Sequence, residues 1–532
     1  MAVNSSKKLF RGAVLLAAAS VFVKVLSAVY RIPYQNIAGD VGFYIYQQVY
    51  PFYGIAVALS SIGFPMAISK MVAERHFSKL TLKEIMVTSL CVLSMISVLI
   101  FLALYFGADL IAEQMGDDGL AQLVRITAFS FLLMPVISVI RGYYQGFYDM
   151  VPTAASQIFE QLVRVVAILL FAFILIEHGF SLYQGGAGAV LGSVIGGLTG
   201  VLVLVSFMWF RKDWSQMMKS GFRAGSISIV TKTIFIHGLT FCITSLILVL
   251  FQLVDSMNLF MLLRKSGLTE FRAKEWKGIF DRGQPLIQLG TVVSNSISLT
   301  LVPLVSGYIK KRKNNEVDHM IKMVLLISLA IGTAASIGLI CIMEPVNYML
   351  FTDTEGSSTL AVLSVSILFT CLIMAQASIL QSMGYTLQTV LIVLVGITAK
   401  WFLNLVLVPH FQIMGAAIAT VIGFCLMSLL FFLVLITRVS RPLFEKRKLS
   451  ILMVAAMIMA AALLIFNGLV YGITGESGSN RILATIQALA SVSLGGLLFI
   501  AVIVHRGMFT NNELNMVPFG DRLAFLLPKT KS

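Results

Sequence analysis

Apolar positions in this chain form long uncharged stretches rather than the one-sided stripes of a surface helix or the alternation of a half-buried strand. Val41 to Ser69, Ile85 to Ala108, Gly283 to Ile309, Leu449 to Gly475 and Ile482 to Val504 contain no Asp, Glu, Lys or Arg. Gly356 to Ala399 is also uncharged and is long enough for two passes. A membrane-crossing helix needs about 20 mostly apolar residues. On that measure the pattern predicts fourteen spanning helices, near 10–37, 42–70, 85–107, 120–146, 153–176, 186–210, 228–253, 283–308, 321–343, 358–384, 387–408, 414–437, 450–472 and 482–505.

The polar segments between the spans give an orientation. Alternate loops carry Lys70/Arg75/Lys79/Lys83, Arg211/Lys212/Lys219/Arg223, Lys310/Lys311/Arg312/Lys313 and Arg438/Arg441/Lys446/Arg447/Lys448. The loops between them carry Asp109/Glu113/Asp117/Asp118 and Asp353/Glu355. Cytoplasmic loops are enriched in Lys and Arg, so both termini are expected in the cytoplasm. Residues 254–282 break the pattern, mixing Arg264, Lys265, Arg272, Lys274 and Lys277 with Glu270 and Glu275 on the expected outer side. They read either as an interfacial amphipathic helix or as a solvated loop.

A repeat runs through the helices. Tyr144-Gln145-Gly146, Pro152-Thr153 and Arg164 correspond to Leu380-Gln381-Ser382, Gln388-Thr389 and Lys400. Gly188-Ala189, Gly192-Ser193 and Gly196 likewise correspond to Gly415-Ala416, Ala419-Thr420 and Gly423. Six helices per unit is an even number, so the halves share one orientation in the membrane. The expected organisation is an N-lobe at 1–220, a C-lobe at 221–445, two extra helices in 446–510 and a cytoplasmic tail at 511–532. The fold class is all-α polytopic membrane protein.

Composition agrees. Of 532 residues, 58% are hydrophobic and 12% charged, which excludes a water-soluble enzyme of this size. The net charge of +15 would point to nucleic acid in a soluble protein, but here it belongs to the cytoplasmic loops. Cys91, Cys242, Cys341, Cys371 and Cys425 lie singly in apolar spans and read as packing residues. Lys7, Lys8 and Arg11 precede a long apolar segment with no small-residue cleavage signal, so that segment is expected to remain as an anchor. No Gly-Lys dipeptide occurs, which excludes a Walker A loop, and no H-E-x-x-H or C-x-x-C is present. The histidines are scattered singly, so neither a metal nor an organic cofactor is expected.

Charge inside a membrane costs about 2.5–3.5 kcal/mol per residue on insertion scales and marks a cavity or a partner. Helix one carries Ser20, Lys24, Ser27 and Arg31 on one face. Helix five carries Gln157, Glu160, Gln161 and Arg164, with Glu160 and Arg164 one turn apart and expected to pair. Helix eight opens on Asp281-Arg282 and continues with Gln284, Gln288, Thr291, Asn295 and Ser298. Helix eleven carries Lys400 and Asn404; Arg141 sits near the cytoplasmic end of helix four and Asp255 near the outer end of helix seven. Lys24, Arg31 and Arg282 outnumber the single acid beside them, Asp281, which favours an anionic ligand in a hydrated cavity. The glycines at 188, 192, 196 and 200 form a small-xxx-small ladder expected to pack a neighbouring helix of the same chain.

The run Arg141-Gly142-Tyr143-Tyr144-Gln145-Gly146, followed by Pro152-Thr153, Gln157, Glu160-Gln161 and Arg164, resembles the signature of the polysaccharide-biosynthesis membrane proteins. These are the stage V sporulation protein B-like branch of the multidrug/oligosaccharidyl-lipid/polysaccharide (MOP) exporter superfamily. Asp281-Arg282-Gly283-Gln284-Pro285 and the Gly384, Lys400, Asn404, Gly415-Ala416-Ala417 pattern are similar to it as well. The resemblance extends to the MurJ lipid II flippases, whose helix-one cavity cations look like Lys24 and Arg31 and whose Asp-Arg pair looks like Asp281-Arg282. Their helix-two arginine has no match here.

That resemblance implies a MurJ/MATE-like fold of two pseudo-symmetric six-helix lobes plus two C-terminal helices. It implies a flippase for undecaprenyl-diphosphate-linked oligosaccharide in the cytoplasmic membrane, working by alternating access. Lys24, Arg31 and Arg282 would hold the diphosphate. Asp281, Glu160, Arg164, Arg141, Lys400, Asp255, Gln145, Gln157, Gln288 and Asn404 would be cavity or coupling groups. The drive would be a Na⁺ or H⁺ gradient or the membrane potential, worth about 2.3 kcal/mol per charge per 100 mV. The partners would be the lipid-linked glycan, membrane lipids and cell-wall synthesis proteins, with no nucleic acid. The alternatives are an ion-coupled multidrug exporter of the same superfamily and a non-transporting scaffold for cell-wall or division enzymes.

Overall fold

The computed structural model describes residues 2–78, 80–218, 226–292, 294, 314–439, 443–474 and 480–509. Among these, helix is the regular secondary structure throughout. Eleven helical stretches among the described residues are long and apolar enough to cross a membrane. Two of them, Leu15–Arg75 and Thr386–Ile436, are double passes that reverse part-way. They correspond to the expected pairs 10–37 with 42–70 and 387–408 with 414–437. The expected eighth span is described only through 292 and at 294, so Asn295 and Ser298 lie outside the described residues. So do the loop cations Lys79, Lys219, Arg223, Lys310, Lys311, Arg312, Lys313 and Arg441.

The chain divides into two compact units, Met1–Asp281 with Asn404–Pro409, and Arg282–Leu403 with His410–Ser532. In the first, α1 (Ala2–Val29) ends at Tyr30 and the helix resumes as α2 (Arg31–Ala58). Gly39, at φ 67°, turns α2 back on itself, a conformation open to glycine because it has no Cβ. The two legs then run side by side, with the Tyr30 and Tyr46 hydroxyls 2.8 Å apart. Beyond α2 the turn Leu59–Gly63 widens into a π-helix before α3 (Phe64–Ser78). Pro65 explains the widening, since it offers no N–H and its ring crowds the carbonyl four residues back. A Cβ on Gly63 would stand 1.7 Å from Cys242 Sγ, so the bulge packs directly on α11 (Leu239–Lys265).

The helices α4 (Leu82–Phe106), α5 (Ala108–Met115), α6 (Ala121–Gly146), α7 (Val151–Glu177) and α8 (Leu182–Phe210) complete most of this unit. Thr81 with Glu84 and Ser181 with Gln184 close capping boxes on α4 and α8, satisfying N–H groups that have no partner within the helix. The glycine ladder of α8 packs its chain neighbour α7, as its spacing suggested. A Cβ on Gly192 would meet Ile168 N at 2.7 Å, and one on Gly196 would meet Arg164 Cβ at 2.5 Å. Two short helices follow, α9 (Asp213–Met218) and α10 (Ser226–Thr233).

Residues 254–282 resolve the choice between helix and loop. α11 continues to Lys265, so Asp255 lies well inside it rather than at its outer end. After a turn at Gly267 (φ 97°), α12 (Glu270–Asp281) forms a separate short helix. It seats on the reversal of α2, where a Cβ on Gly278 would come within 2.1 Å of the Asp40 carbonyl oxygen. Lys274 anchors its N-terminal half, donating to Tyr183 at 2.7 Å and Glu270 at 2.6 Å and lying 3.3 Å from Asp117.

The second unit contains α13 (Asn314–Cys341), α14 (Met343–Phe351), α15 (Ser357–Ser382) and most of α16 (Thr386–Ile436). α16 reverses at Gln412 (φ 51°), after Pro409, and Lys400 on one leg donates to Thr420 on the other. The last two helices, α17 (Lys446–Thr474) and α18 (Arg481–His505), also belong to this unit. Polar side chains dock them. Asn467 donates to the Cys341 carbonyl at 3.1 Å and accepts from Gln487 at 2.9 Å. Arg481 donates to the Met349 carbonyl at 3.0 Å, one of the carbonyls α14 leaves open at its C-terminus.

Candidate functional site

Glu160 and Arg164 do not pair. Glu160 instead accepts from Arg141 on α6 at 2.7 Å, and Arg141 also donates to Ser61 at 2.7 Å and Ser156 at 3.0 Å. Spacing of i to i+4 permits an ion pair but does not compel one. Here Glu160 lies against Gly200 of α8, where a Cβ would be 2.9 Å from its Oε2, and its carboxylate reaches α6. The other expectation for this signature, that Arg141 occupies the end of helix four, holds: it sits in the last turns of α6 and is fully buried.

Arg164 is thereby turned toward α1 and α2. It is 3% exposed and bonds neutral oxygens: Tyr30 at 3.0 Å, Gln161 at 3.3 Å and Ser193 at 3.4 Å. Its guanidinium carbon stands 4.3 Å from the Tyr53 ring centre and 5.9 Å from that of Tyr50. Arg31 lies over the same Tyr50 ring at 4.2 Å and is 1% exposed. Its Nε and Nη1 are buried with no hydrogen-bond partner among the described residues. Two guanidinium groups thus flank one tyrosine, and neither is in a salt bridge among the described residues. This wall is stabilised by cation–π attraction, which strengthens where water is excluded. Gln157 and Gln161 share the Arg164 face of α7, and Gln157 Oε1 and Gln161 Nε2 are also buried without partners among the described residues.

The remaining sequence candidates are distributed. Lys24 is half-buried on α1, on the stripe that carries buried Ser27 and Arg31. Arg282 belongs to the second unit and makes a two-pronged bond to Asp353, at 2.7 and 2.8 Å, with its guanidinium over Phe351. Asp281 pairs not with Arg282 but with Lys277 one turn earlier on α12, at 2.7 Å. Burial pushes the Asp281 carboxyl up to about 6, with Asp255 adding to the rise and Lys277 and Arg31 opposing it. Asn404 donates to Asp255 at 3.0 Å and Asn258 at 2.9 Å, all three buried in the first unit. Lys400 is buried against Thr420 in the second. Gln145 and Gln288 are half-buried at the end of α6 and in the helical stretch after Arg282.

A cleft in the first unit is lined by Tyr53, Ser60, Ser130, Glu160, Ser193 and Gly197. No group of three metal-ligating side chains occurs among the described residues. Sequence reasoning missed the tyrosines of α2. Tyr46, Tyr50 and Tyr53 fall on one helical face, and that spacing is a signal that could have found them. It also missed Lys277, whose i to i+4 spacing to Asp281 was a signal that could have found it, and Asp353, for which the sequence carries no comparable signal.

Residues 9–309 match the family model of polysaccharide biosynthesis proteins. The chain is 43% identical to the membrane protein YabM of Bacillus subtilis (strain 168), over 97% of this chain and 96% of that one. It is 24% identical to the lipid II flippase MurJ of the same organism, over 93% and 95% of the two chains. Among solved structures, lipid II flippase MurJ in an inward closed conformation superposes with a TM-score of 0.65 at 15% identity, covering 91% of this chain and 98% of that one. An inward-facing multidrug resistance MATE family transporter of the MOP superfamily gives 0.64 at 16% identity, covering 80% and 98%. These neighbours carry the MurJ/MATE fold expected from the sequence, and they are transporters and flippases rather than enzymes. By its match over more than half its length and its identity to YabM, the chain belongs to the polysaccharide biosynthesis protein family.

Proposed function

We propose that this protein is a flippase for polyprenyl-diphosphate-linked oligosaccharide in the cytoplasmic membrane, with both termini in the cytoplasm. The observation that carries the reading is Arg31, a buried cation whose Nε and Nη1 have no partner among the described residues. A buried guanidinium with unmet donors costs several kcal/mol unless an anion completes it, and a diphosphate matches its fork of N–H groups. Lys24, on the same stripe of the first helix, adds a second positive charge. Arg282 already holds Asp353, and the reading does not need it. Movement would follow a rocking of the fold, driven by an ion gradient or by the membrane potential acting on the charged headgroup.

An ion-coupled multidrug exporter shares the fold, but organic cations call for acidic groups, whereas the wall around Arg31 is cationic and aromatic. The test is the amount of lipid-linked precursor exposed at the cell surface, in cells lacking related flippases and carrying this protein or its Arg31→Ala variant. Surface precursor is expected with the native chain and not with Arg31→Ala at equal abundance. Equal exposure with both would remove Arg31 from the transport path.

A further inference from the structure

The wall beside Arg31 has more unmet hydrogen-bonding capacity than a diphosphate uses. Gln157 Oε1 is an acceptor and Gln161 Nε2 a donor, both buried and both without a partner among the described residues. They lie one turn apart on α7, on the face that carries Arg164, and Arg164 joins that face to α1 and α2 through Tyr30. The rings of Tyr50 and Tyr53 on this side already carry the guanidiniums of Arg31 and Arg164, which leaves the amides as the unmet groups. Arg164 is itself satisfied by neutral oxygens, so it stiffens this face rather than demanding an anion. A buried amide left unsatisfied costs the full desolvation of that group, so pairs of such atoms point to a ligand that supplies both a donor and an acceptor. A hydroxyl does both. An amide acceptor and an amide donor one turn apart suit neighbouring hydroxyls on the rim of a sugar ring.

We infer that Gln157 and Gln161 form a sugar subsite that reads the first saccharide of the headgroup next to the diphosphate held by Arg31. The inference rests on the flippase reading and adds to it. Arg31 confers affinity for any polyprenyl diphosphate, and the α7 face confers preference for a glycosylated one.

The experiment uses the full-length protein in detergent micelles and two probes, undecaprenyl diphosphate and the same lipid carrying one N-acetylhexosamine. Binding of each is measured by native mass spectrometry for the native chain, Gln157→Leu, Gln161→Met and Arg31→Ala, with thermal unfolding recorded for every variant. The native chain is expected to prefer the glycosylated lipid by about tenfold, the scale of one net hydrogen bond. Either glutamine substitution is expected to bring that ratio close to one. Arg31→Ala is expected to weaken both lipids while the ratio persists. A ratio unchanged in Gln157→Leu and in Gln161→Met, with both variants folded, overturns the sugar subsite and leaves the flippase reading standing. If the native chain binds neither lipid, the flippase reading fails and the subsite with it.

Discussion

Glu160 bonds Arg141 across two helices at 2.7 Å, although Arg164 stands one turn away on its own helix. One carboxylate lies beside two guanidiniums, and the partner it takes decides what the other can do. Arg141 is neutralised and surrounded by hydroxyls, while Arg164 is left to the tyrosines.

Removing one partner of a buried ion pair strands the other, at a cost of about 3–5 kcal/mol, whereas replacing both with apolar groups is often close to neutral. Glu160→Gln and Arg141→Met are therefore each expected to lower the thermal unfolding temperature sharply in detergent. The double variant Glu160→Leu/Arg141→Met should recover most of the loss. A double-mutant cycle between Glu160 and Arg164 should show far weaker coupling. Strong Glu160–Arg164 coupling would contradict the assigned pairing.

The bond of Arg282 to Asp353 sets a second expectation. A guanidinium grips a carboxylate with two parallel N–H groups, which an ammonium cannot reproduce. Arg282→Lys should thus cost about 1.5–3 kcal/mol, the scale of a hydrogen bond to a charged group. Asp353→Asn should cost a comparable amount, and the two effects should not add, because each variant breaks the same contact. Additive losses in unfolding measurements would show that the two residues act separately.

Asp281 is expected to titrate within reach of physiological pH. Its carboxyl is raised from 3.8 to about 6, so the folded protein holds this proton more tightly than the unfolded chain does. The sign follows: as pH falls from above 6 toward 4, protonating Asp281 adds stability to the fold, and as pH rises through about 6 that contribution is lost. Infrared difference spectra should show a protonated-carboxyl band that disappears with a midpoint near 6 and is missing in Asp281→Asn. A band that disappears near 4 would place Asp281 in an ordinary hydrated setting.

Much of the fold was legible because spanning helices obey a length rule and leave long uncharged runs. The reversals at Gly39 and Gln412 fall between predicted spans, and the glycine ladder of α8 meets α7 as its spacing implied. The site was less legible. One-dimensional spacing gives the face on which Glu160 lies but not which neighbouring helix brings the better donor. Asp281 and Arg282 are adjacent in sequence, yet one bonds Lys277 and the other Asp353, since successive helical side chains point about 100° apart. Tyrosines escaped notice because aromatic residues in apolar helices are ordinary until a buried cation is found on their faces.

Loop charge supports a further test, of orientation. Single cysteines at Asp117 and Asp353 are expected to react with an impermeant thiol reagent in intact cells, and cysteines at Lys79 and Lys311 only after permeabilisation. Asp117 takes bonds from Tyr44 and Tyr183, so its cysteine should label more slowly than the one at half-exposed Asp353. The reverse pattern of access would invert the topology.

The last two helices carry no charge between Leu449 and Gly475 or between Ile482 and Val504, so those stretches offer a charged headgroup no ion-pair partner. Their polar atoms hold them to the second unit. Arg481 donates to the Met349 and Leu350 carbonyls, which end α14, and a cation there also interacts favourably with the negative end of the helix dipole. Asn467 fastens α17 to the Cys341 carbonyl and to Gln487 of α18. Arg481→Ala is expected to speed hydrogen exchange over 343–352 while leaving 151–177 unchanged, because α7 belongs to the first unit. Asn467→Leu leaves the Cys341 carbonyl without its side-chain donor and should destabilise by about 1 kcal/mol, with no effect on the Arg31–Tyr50 stacking. If these helices border the path of the lipid tail, both variants should slow transport of long-chain polyprenyl lipids more than of short-chain analogues. Equal slowing of both chain lengths would confine α17 and α18 to a packing role.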